Sequence, residues 1–325
     1  MFNNSSIISI ISGITGQDGA YLSQLLLKKG HRVIGLMRGY TSSTKHLEYL
    51  GIKQDIELIE CDLLDISQII NIINTYQPDE FYNLAAQSSV SLSFKQPIGT
   101  FQFNTLSVFN ILESIRLCSP QVKFYQASSS EMFGSVSQLP ITENTVLNPQ
   151  SPYAISKAAA HWACINYRQS YGLFVCCGIL FNHESYLRSN NFFIKKVIQA
   201  TLKIKQGLLD LLTVGNIDIE RDFGYAPSYV EAMYLMMQQD EPNNYLICSG
   251  NKVSLRSIVE YVFAKLHVDM DKLVISQDLY RPADIQSIYG DPARAKAQLN
   301  WHYNYTFWQV LDMLIDEEIK NQTPS

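Results

Sequence analysis

Between Ser6 and Ser12 the chain reads SIISIIS, a short isoleucine-rich run that stops at a glycine. A run so short and so apolar suits a strand buried on both faces of a parallel sheet. It leads directly into Gly13-Ile14-Thr15-Gly16-Gln17-Asp18-Gly19. A helical pattern follows from Ala20 to Lys29, with Leu22, Leu25 and Leu26 on one side; Gly30 ends it, and Arg32–Met37 reads as a second strand. Strand, glycine turn, helix and strand in succession restrict the chain to a parallel sheet with crossover helices. Glycines at 13, 16 and 19 let backbone approach a pyrophosphate and point a helix N-terminus at it. Residues 13 to 19, with Thr15, Gln17 and Asp18 among them, are therefore candidates for holding a dinucleotide. The plainer reading of such a stretch is an ordinary tight turn.

The rhythm continues. Ile56–Glu60 reads as a third strand leading to Cys61-Asp62-Leu63, Ile66–Tyr76 as a helix stopped before Pro78, and Glu80–Asn83 as a fourth strand ending in Leu84-Ala85-Ala86-Gln87-Ser88. A helix over Thr100–Cys118 and a fifth strand over Lys123–Ala127 follow. Small residues at the C-terminal end of a strand lie where a doubly wound sheet opens its ligand crevice. The class expected is α/β: a Rossmann-type doubly wound parallel sheet over residues 1–180, with a return segment at about 217–250. Residues 181–216 and 251–325 would form a smaller, mixed α/β substrate-binding lobe, with ligand held between the lobes. In this part the pattern predicts helices over 191–208, 226–238, 255–266 and 307–320, and strands at 213–215 and 245–248. Val230, Met233, Tyr234 and Met237 share one helix side and read as core.

With 46% hydrophobic and 17% charged residues over 325 positions, the chain is ordered and large enough for one large or two joined domains. A net charge of −5 argues against a nucleic-acid partner. Cysteines 61, 118, 164, 176, 177 and 248 form no Cys-x-x-Cys and no ligand spacing with histidine. No metal is expected, and free thiols point to a reducing, cytoplasmic setting. Met1 to Ser6 has no positive stretch, and the isoleucine run after it is too short to span a bilayer, so neither a leader nor membrane association is expected.

Chemistry enters at Ser151-Pro152-Tyr153-Ala154-Ile155-Ser156-Lys157. Ser151 suits an N-cap and Pro152 the first helical position. Tyr153 and Lys157 would then lie on one face, a turn apart. A neighbouring ammonium and an oxidised nicotinamide both favour the phenolate, so the pair is a candidate base for an alcohol whose carbon gives up hydride. Alone, it is equally a Tyr and a Lys on an amphipathic helix. The fifth strand runs into Ser128-Ser129-Ser130-Glu131, which would lie beside that helix at the nicotinamide end of the crevice. Serine clusters in loops are commonly turn chemistry; here two independent motifs predict the same place. The second strand ends in Gly35-Leu36-Met37-Arg38-Gly39, with no acid to hold a ribose 2′-hydroxyl. Arg38 suits a 2′-phosphate, which favours NADP, unless it is simply a solvated arginine.

The glycine turn, Asn83-Leu84-Ala85-Ala86, the serine cluster and Tyr-x-x-x-Lys together resemble the extended short-chain dehydrogenase/reductases. Within them the chain is similar to the GDP-mannose 4,6-dehydratase family. The likeness rests on residues 13–22, on Phe124-Tyr125-Gln126-Ala127-Ser128-Ser129-Ser130-Glu131 and on Gly178-Ile179-Leu180-Phe181-Asn182-His183-Glu184-Ser185. It extends to Arg221-Asp222-Phe223-Gly224, Tyr229-Val230-Glu231-Ala232-Met233, Arg281-Pro282, Gly290-Asp291-Pro292 and Leu299-Asn300-Trp301. The resemblance implies an intramolecular redox reaction. Tyr153, poised by Lys157, would take the proton of the sugar 4-hydroxyl while C4 hydride passes to NADP. Glu131 would remove the C5 proton, the C6 hydroxyl would leave as water, and the hydride would return to C6. Ser129, in a position where the family has Thr, would keep a hydrogen bond to the 4-hydroxyl. It further implies that Asp62, Leu63, Leu84, Ala85, Ala86, Gln87, Ser88, His183 and Arg188 contact the cofactor. Ser88, Ser130, Asn182, Lys195, Arg221 and Arg281 become candidates for the nucleotide sugar, although scattered basic residues could equally be surface charge.

Several positions depart from the family pattern: Tyr186-Leu187-Arg188-Ser189-Asn190 replaces a proline and basic residues, Gly99 a tyrosine, Ser228 an acid and Phe223 a tryptophan. None touches the catalytic set; the nucleotide base, the sugar and subunit contacts are what they affect. A homodimer or homotetramer is expected by analogy. Two other readings stay open: a 4,6-dehydratase, epimerase or reductase of another nucleotide sugar, with Glu131 and Phe181-Asn182-His183-Glu184-Ser185 speaking against the epimerase and reductase, and a catalytically inactive NADP sensor, which would be expected to lack Tyr153 or Lys157.

Overall fold

A computed structural model describes residues 6–39 and 42–322. Met1 to Ser5, read above for a leader, lie outside that range, as do 40–41 and 323–325. The first half alternates strand and helix. In chain order it runs β1 (Ile8–Ser12), α1 (Gln17–Lys28), β2 (Arg32–Met37), α2 (Lys45–Tyr49), β3 (Glu57–Glu60), α3 (Ile66–Tyr76), β4 (Glu80–Asn83), α4 (Val90–Lys95), α5 (Pro97–Cys118), β5 (Lys123–Ser129), α6 (Pro152–Tyr171) and β6 (Val175–Leu180). The second half follows with β7 (Asn182–Glu184), α7 (Phe193–Lys205), β8 (Leu212–Val214), β9 (Glu220–Tyr225), α8 (Ala226–Met237), β10 (Asn244–Ile247), β11 (Lys252–Ser254), α9 (Leu255–Leu266), β12 (Leu273–Ile275), β13 (Ser287–Ile288), α10 (Ala293–Leu299) and α11 (Phe307–Gln322).

Seven parallel strands form the main sheet in the order β10-β6-β5-β4-β1-β2-β3. Strand order reverses between β1 and β4, and a doubly wound sheet opens its crevice at that switch point. The isoleucines of β1 explain why both faces are covered. Ile10 and Ile11 are fully buried and point to opposite sides. Ile11 packs with Leu22, Leu26 and Met233 from α1 and α8, whereas Ile10 packs with Ile69, Ile73 and Ile111 from α3 and α5. Each such side chain contributes about 1.5–3 kcal/mol by leaving water.

A smaller sheet, β11-β9-β13 with β7 on β9, and the pair β8–β12 make up the second lobe. Its core lies among α7, α9 and α11. The lobes interleave more than a division at 217–250 implies. Strand β9 falls inside that return segment yet pairs in the smaller sheet. Conversely Ala295, Leu299 and Trp301, from the span expected in the smaller lobe, pack with Met233 and Met236 in the core under the main sheet.

Candidate active site

Helix α6 starts where Ser151 caps it: the Ser151 hydroxyl accepts from the Ala154 N–H at 3.0 Å, and Pro152 takes the first position. Helix α5 fixes it sideways. Asn104 Nδ2 donates to Ser156 Oγ at 3.0 Å, and Thr105 Oγ1 to the Ser156 carbonyl at 3.2 Å. Asn104 also holds the 84–88 segment, accepting from the Gln87 N–H at 2.8 Å and donating to its carbonyl at 3.0 Å. One asparagine thus sets the crevice floor against the Tyr153 helix.

Lys157 Nζ donates to the Ala127 carbonyl at 2.7 Å. That oxygen ends a buried polar chain across the strand tips: Ser12 Oγ donates to Asn83 Oδ1 at 2.5 Å, Asn83 Nδ2 to Gln126 Oε1 at 2.8 Å, and Gln126 Nε2 to the Ala127 carbonyl at 3.0 Å. Tyr153 and Lys157 are both buried. Burial pushes the Tyr153 phenol up to about 12, with the adjacent Ser129 hydroxyl pulling the other way, and pushes Lys157 down to about 8.

After β5 the chain makes one tight helical turn, with the Ser129 hydroxyl accepting from the Glu131 N–H at 3.3 Å. Ser129, Ser130, Glu131, Tyr153 and Lys157 meet in one cavity of about 240 Å³. Ser88, Asn182, His183, Arg188, Arg221 and Arg281 share its wall. Arg221 is held from behind, Nη1 donating to the carbonyls of Ile285 at 2.6 Å and Glu220 at 2.8 Å.

A second cavity of about 700 Å³ adjoins it, lined by Gly13, Thr15, Gly16, Gln17, Asp18 and Gly19. Gly13 has φ +72°, and a Cβ there would come within 2.8 Å of the Ala85 backbone; a Cβ at Gly19 would meet the Gly13 carbonyl at 2.4 Å. Only glycine lets α1 start this close to the β4 exit. Its N-cap, Gly16, brings no side chain to the first-turn N–H groups, which suits an anion approaching from the cavity. His183 Nε2 lies 2.9 Å from Asp18 Oδ2, and Nδ1 lies 2.7 Å from the Phe181 carbonyl. Burial opposes charge on His183, but the Asp18 carboxylate outweighs it and raises the imidazole pKa. Ser185 Oγ donates to Gln17 Oε1 at 2.7 Å, tying β7 to the same turn. Asp62, Leu63, Leu84, Ala85, Ala86, Gln87 and Ser88 line the same cavity, and Arg38, exposed, stands at its rim with Ser42. Asp18, Leu84, Ala86, Ser88, Arg188 and Phe192 belong to both cavities, so the two form one cleft. Among the described residues no group of His, Cys, Asp or Glu could hold a metal ion.

One expected substrate contact is placed elsewhere. Lys195 lines neither cavity. Its ammonium is buried in an ion pair with Glu318 of α11 and donates to the Tyr186 carbonyl at 2.7 Å. A lysine consumed this way holds α7 to α11. Two acids escaped the sequence reading. Asp222 is fully buried and accepts from the Ser249 N–H at 2.8 Å, Ser249 Oγ at 2.7 Å and the Gly250 N–H at 3.0 Å. Glu184 lines the smaller cavity. Both stood inside quoted motifs, but their burial, and for Asp222 its donors at Ser249 and Gly250, are set by the fold and leave no local signal in the sequence.

The family model for GDP-mannose 4,6 dehydratase matches residues 10–314. The chain belongs to the GDP-mannose 4,6-dehydratase family. It is 41% identical to GDP-mannose 4,6 dehydratase 2 of Arabidopsis thaliana, over 96% of this chain and 87% of that one. It is 37% identical to the GDP-mannose 4,6 dehydratase of Homo sapiens, over 96% and 91%. Among solved structures, RMD from Pseudomonas aeruginosa, complexed with NADPH, superimposes with a TM-score of 0.81 at 25% identity, covering 97% of this chain and all of that one (100%). A dTDP-glucose 4,6-dehydratase from Bacillus anthracis, solved with NAD, gives 0.86 at 19% identity over 98% of each chain, a likeness of fold. This GDP-mannose 4,6-dehydratase family member therefore keeps its Ser129, Glu131, Tyr153 and Lys157 in one cavity beside a glycine turn built for a nicotinamide dinucleotide.

Proposed function

We infer that this protein is a GDP-mannose 4,6-dehydratase, a hydro-lyase that converts GDP-D-mannose to GDP-4-keto-6-deoxy-D-mannose and water. The observation that carries the reading is the meeting of a base pair, Tyr153 and Lys157, with a separate carboxylate, Glu131, in one cavity. A 4-epimerase needs only the first; elimination of water needs a base for C5 as well. Tyr153 takes the proton of the 4-hydroxyl, and Ser129 holds the same oxygen. When bound in the larger cavity, the dinucleotide's nicotinamide would accept the C4 hydride and return it at C6. The 4-ketone acidifies the C5 proton; Glu131 takes it and passes a proton to the departing C6 hydroxyl, which leaves as water, and C5 is reprotonated when the hydride reaches C6. Arg221, Arg281 and Asn182 supply positive and polar groups for the diphosphate and ribose.

The cofactor is NADP on this reading, supported by Arg38 and Ser42 at the cavity rim and the lack of an acid at the tip of β2. A homodimer or homotetramer accords with the apolar stripe left exposed on α5 and α6. There Ile98 is 78%, Ile155 47% and Trp162 57% exposed, alongside Phe101 and Phe109. A cytoplasmic location rests on six cysteines that are all free thiols. Among the described residues no helix is long and apolar enough to cross a membrane.

The test is to incubate the purified protein with GDP-mannose and no added dinucleotide. The expected product is the 4-keto-6-deoxy sugar nucleotide, with NADP recovered on denaturation and a mass above that of one chain. Accumulation of a C4 epimer would replace this reading, and recovery of NAD would overturn the cofactor assignment.

A further inference from the structure

Glu184, at the end of β7, is 3% exposed and forms part of the wall of the cavity that holds Ser129, Glu131 and Tyr153. Its Oε1 lies 3.4 Å from Arg188 Nε, too loose to form a hydrogen bond there. Neither that nitrogen nor Glu184 Oε2 has a hydrogen-bond partner among the described residues. Leaving a buried acceptor unpaired is costly, and more so for a charged group. Such groups in a cleft wall mark where a ligand supplies the partner. Burial raises the Glu184 pKa, while the Arg188 and His183 charges pull it back. Arg188 itself stacks on Phe192, 3.6 Å from the ring centre, and faces both cavities.

An ionised carboxylate only accepts, so the partner must carry donors. On the reading above, the 4-hydroxyl faces Tyr153 and Ser129, and C5 and C6 face Glu131. The anomeric oxygen is esterified to phosphate, and the ring oxygen has no proton. The donors left on a hexopyranose are the hydroxyls on C2 and C3, which are adjacent. We propose that Glu184 accepts hydrogen bonds from the C2 and C3 hydroxyls of the substrate hexose, fixing the ring's orientation and selecting sugars that carry both. The proposal rests on the functional reading above and names a specificity contact within it.

The test compares the holoenzyme acting on GDP-mannose with the same enzyme acting on the 2-deoxy and 3-deoxy analogues, in the wild type and in Glu184→Gln. Loss of one hydrogen bond to a charged acceptor predicts a fall in kcat/KM of about 10–100-fold for each analogue in the wild type. Glu184→Gln should raise KM for the parent more than it lowers kcat, and shrink the penalty for each missing hydroxyl to about threefold or less. A packing role alone would leave that penalty unchanged. Wild-type enzyme that accepts both deoxy analogues as well as the parent overturns the proposal without any variant. So does a Glu184→Gln enzyme that rejects them as strongly as the wild type does. Wild-type protein that leaves GDP-mannose unconverted overturns the functional reading instead, and the proposal falls with it.

Discussion

Tyr153 and Lys157 are moved in opposite senses by the same burial, the phenol up to about 12 and the ammonium down to about 8. Without ligand the phenol keeps its proton through the physiological range, so on the proposed reading a bound, positively charged nicotinamide, beside the Lys157 ammonium, would favour the phenolate. For Lys157 the folded pKa lies below the ordinary value of 10.5, so between about 8 and 10.5 the unfolded chain binds more protons. The cost of burying the charge is therefore present in full below pH 8 and fades as pH rises through that window, by a total on the order of 3 kcal/mol. Urea unfolding of wild type against Lys157→Met should show the wild type gaining on the variant between pH 7.5 and pH 10, values chosen at roughly the ends of that window. A pH-independent difference contradicts the assignment. Glu131→Gln should lower kcat by about 10²–10⁴-fold and stop deuterium from D₂O entering C5. Activity within tenfold of wild type would remove Glu131 from the reaction. These residues were legible because each lies in a local motif: a capped helix start, or a strand running into hydroxyls. Lys195 was not, because Glu318 decides its fate from the far end of the chain. Nor was Glu184, whose missing partner is a property of the folded cavity.

At the scale of elements, strands buried on both faces announce themselves. Arg32–Met37 and Glu80–Asn83 are bounded where the sequence places them. Helix α5 begins at Pro97, three residues before the expected Thr100, because proline takes the first position after the short α4. Strands of the smaller sheet were missed. β9 carries Arg221 and Asp222 inward, opposite to the alternation that marks a strand, and β13 is two residues long. Asp222 shows why β9 tolerates this: its carboxylate gathers the N–H groups of Ser249, Gly250 and, at 3.4 Å, Gly290. It thereby joins β9 to the chain leaving β10 and to the segment before α10. Asp222→Ala leaves those donors buried without an acceptor and should cost about 2–4 kcal/mol in urea denaturation, with Asp222→Asn costing less. A loss under about 0.5 kcal/mol would show that the donors find other partners.

For the whole molecule, the main sheet supplies Tyr153, Lys157 and the glycine turn, and the smaller lobe supplies Arg221, Arg281 and the wall at Phe223. The cleft between them is continuous, so chemistry at C4, C5 and C6 of one bound sugar can share one dinucleotide. The sheet, its crevice and the glycine turn followed from the strand–helix rhythm, while Asp62, Asn182, His183, Arg188, Arg221 and Arg281 were pointed to by the family resemblance; the interleaving of the lobes followed from neither, because long-range pairing such as β9 with β7 leaves no periodic trace. The central claim is that hydride leaves C4 and returns to C6 of the same molecule. GDP-mannose carrying deuterium at C4 tests it directly. The account predicts a 4-keto-6-deoxy product with the deuterium on C6 at close to full retention. Product with the label lost to solvent, or label found again on C4 of an epimer, contradicts it.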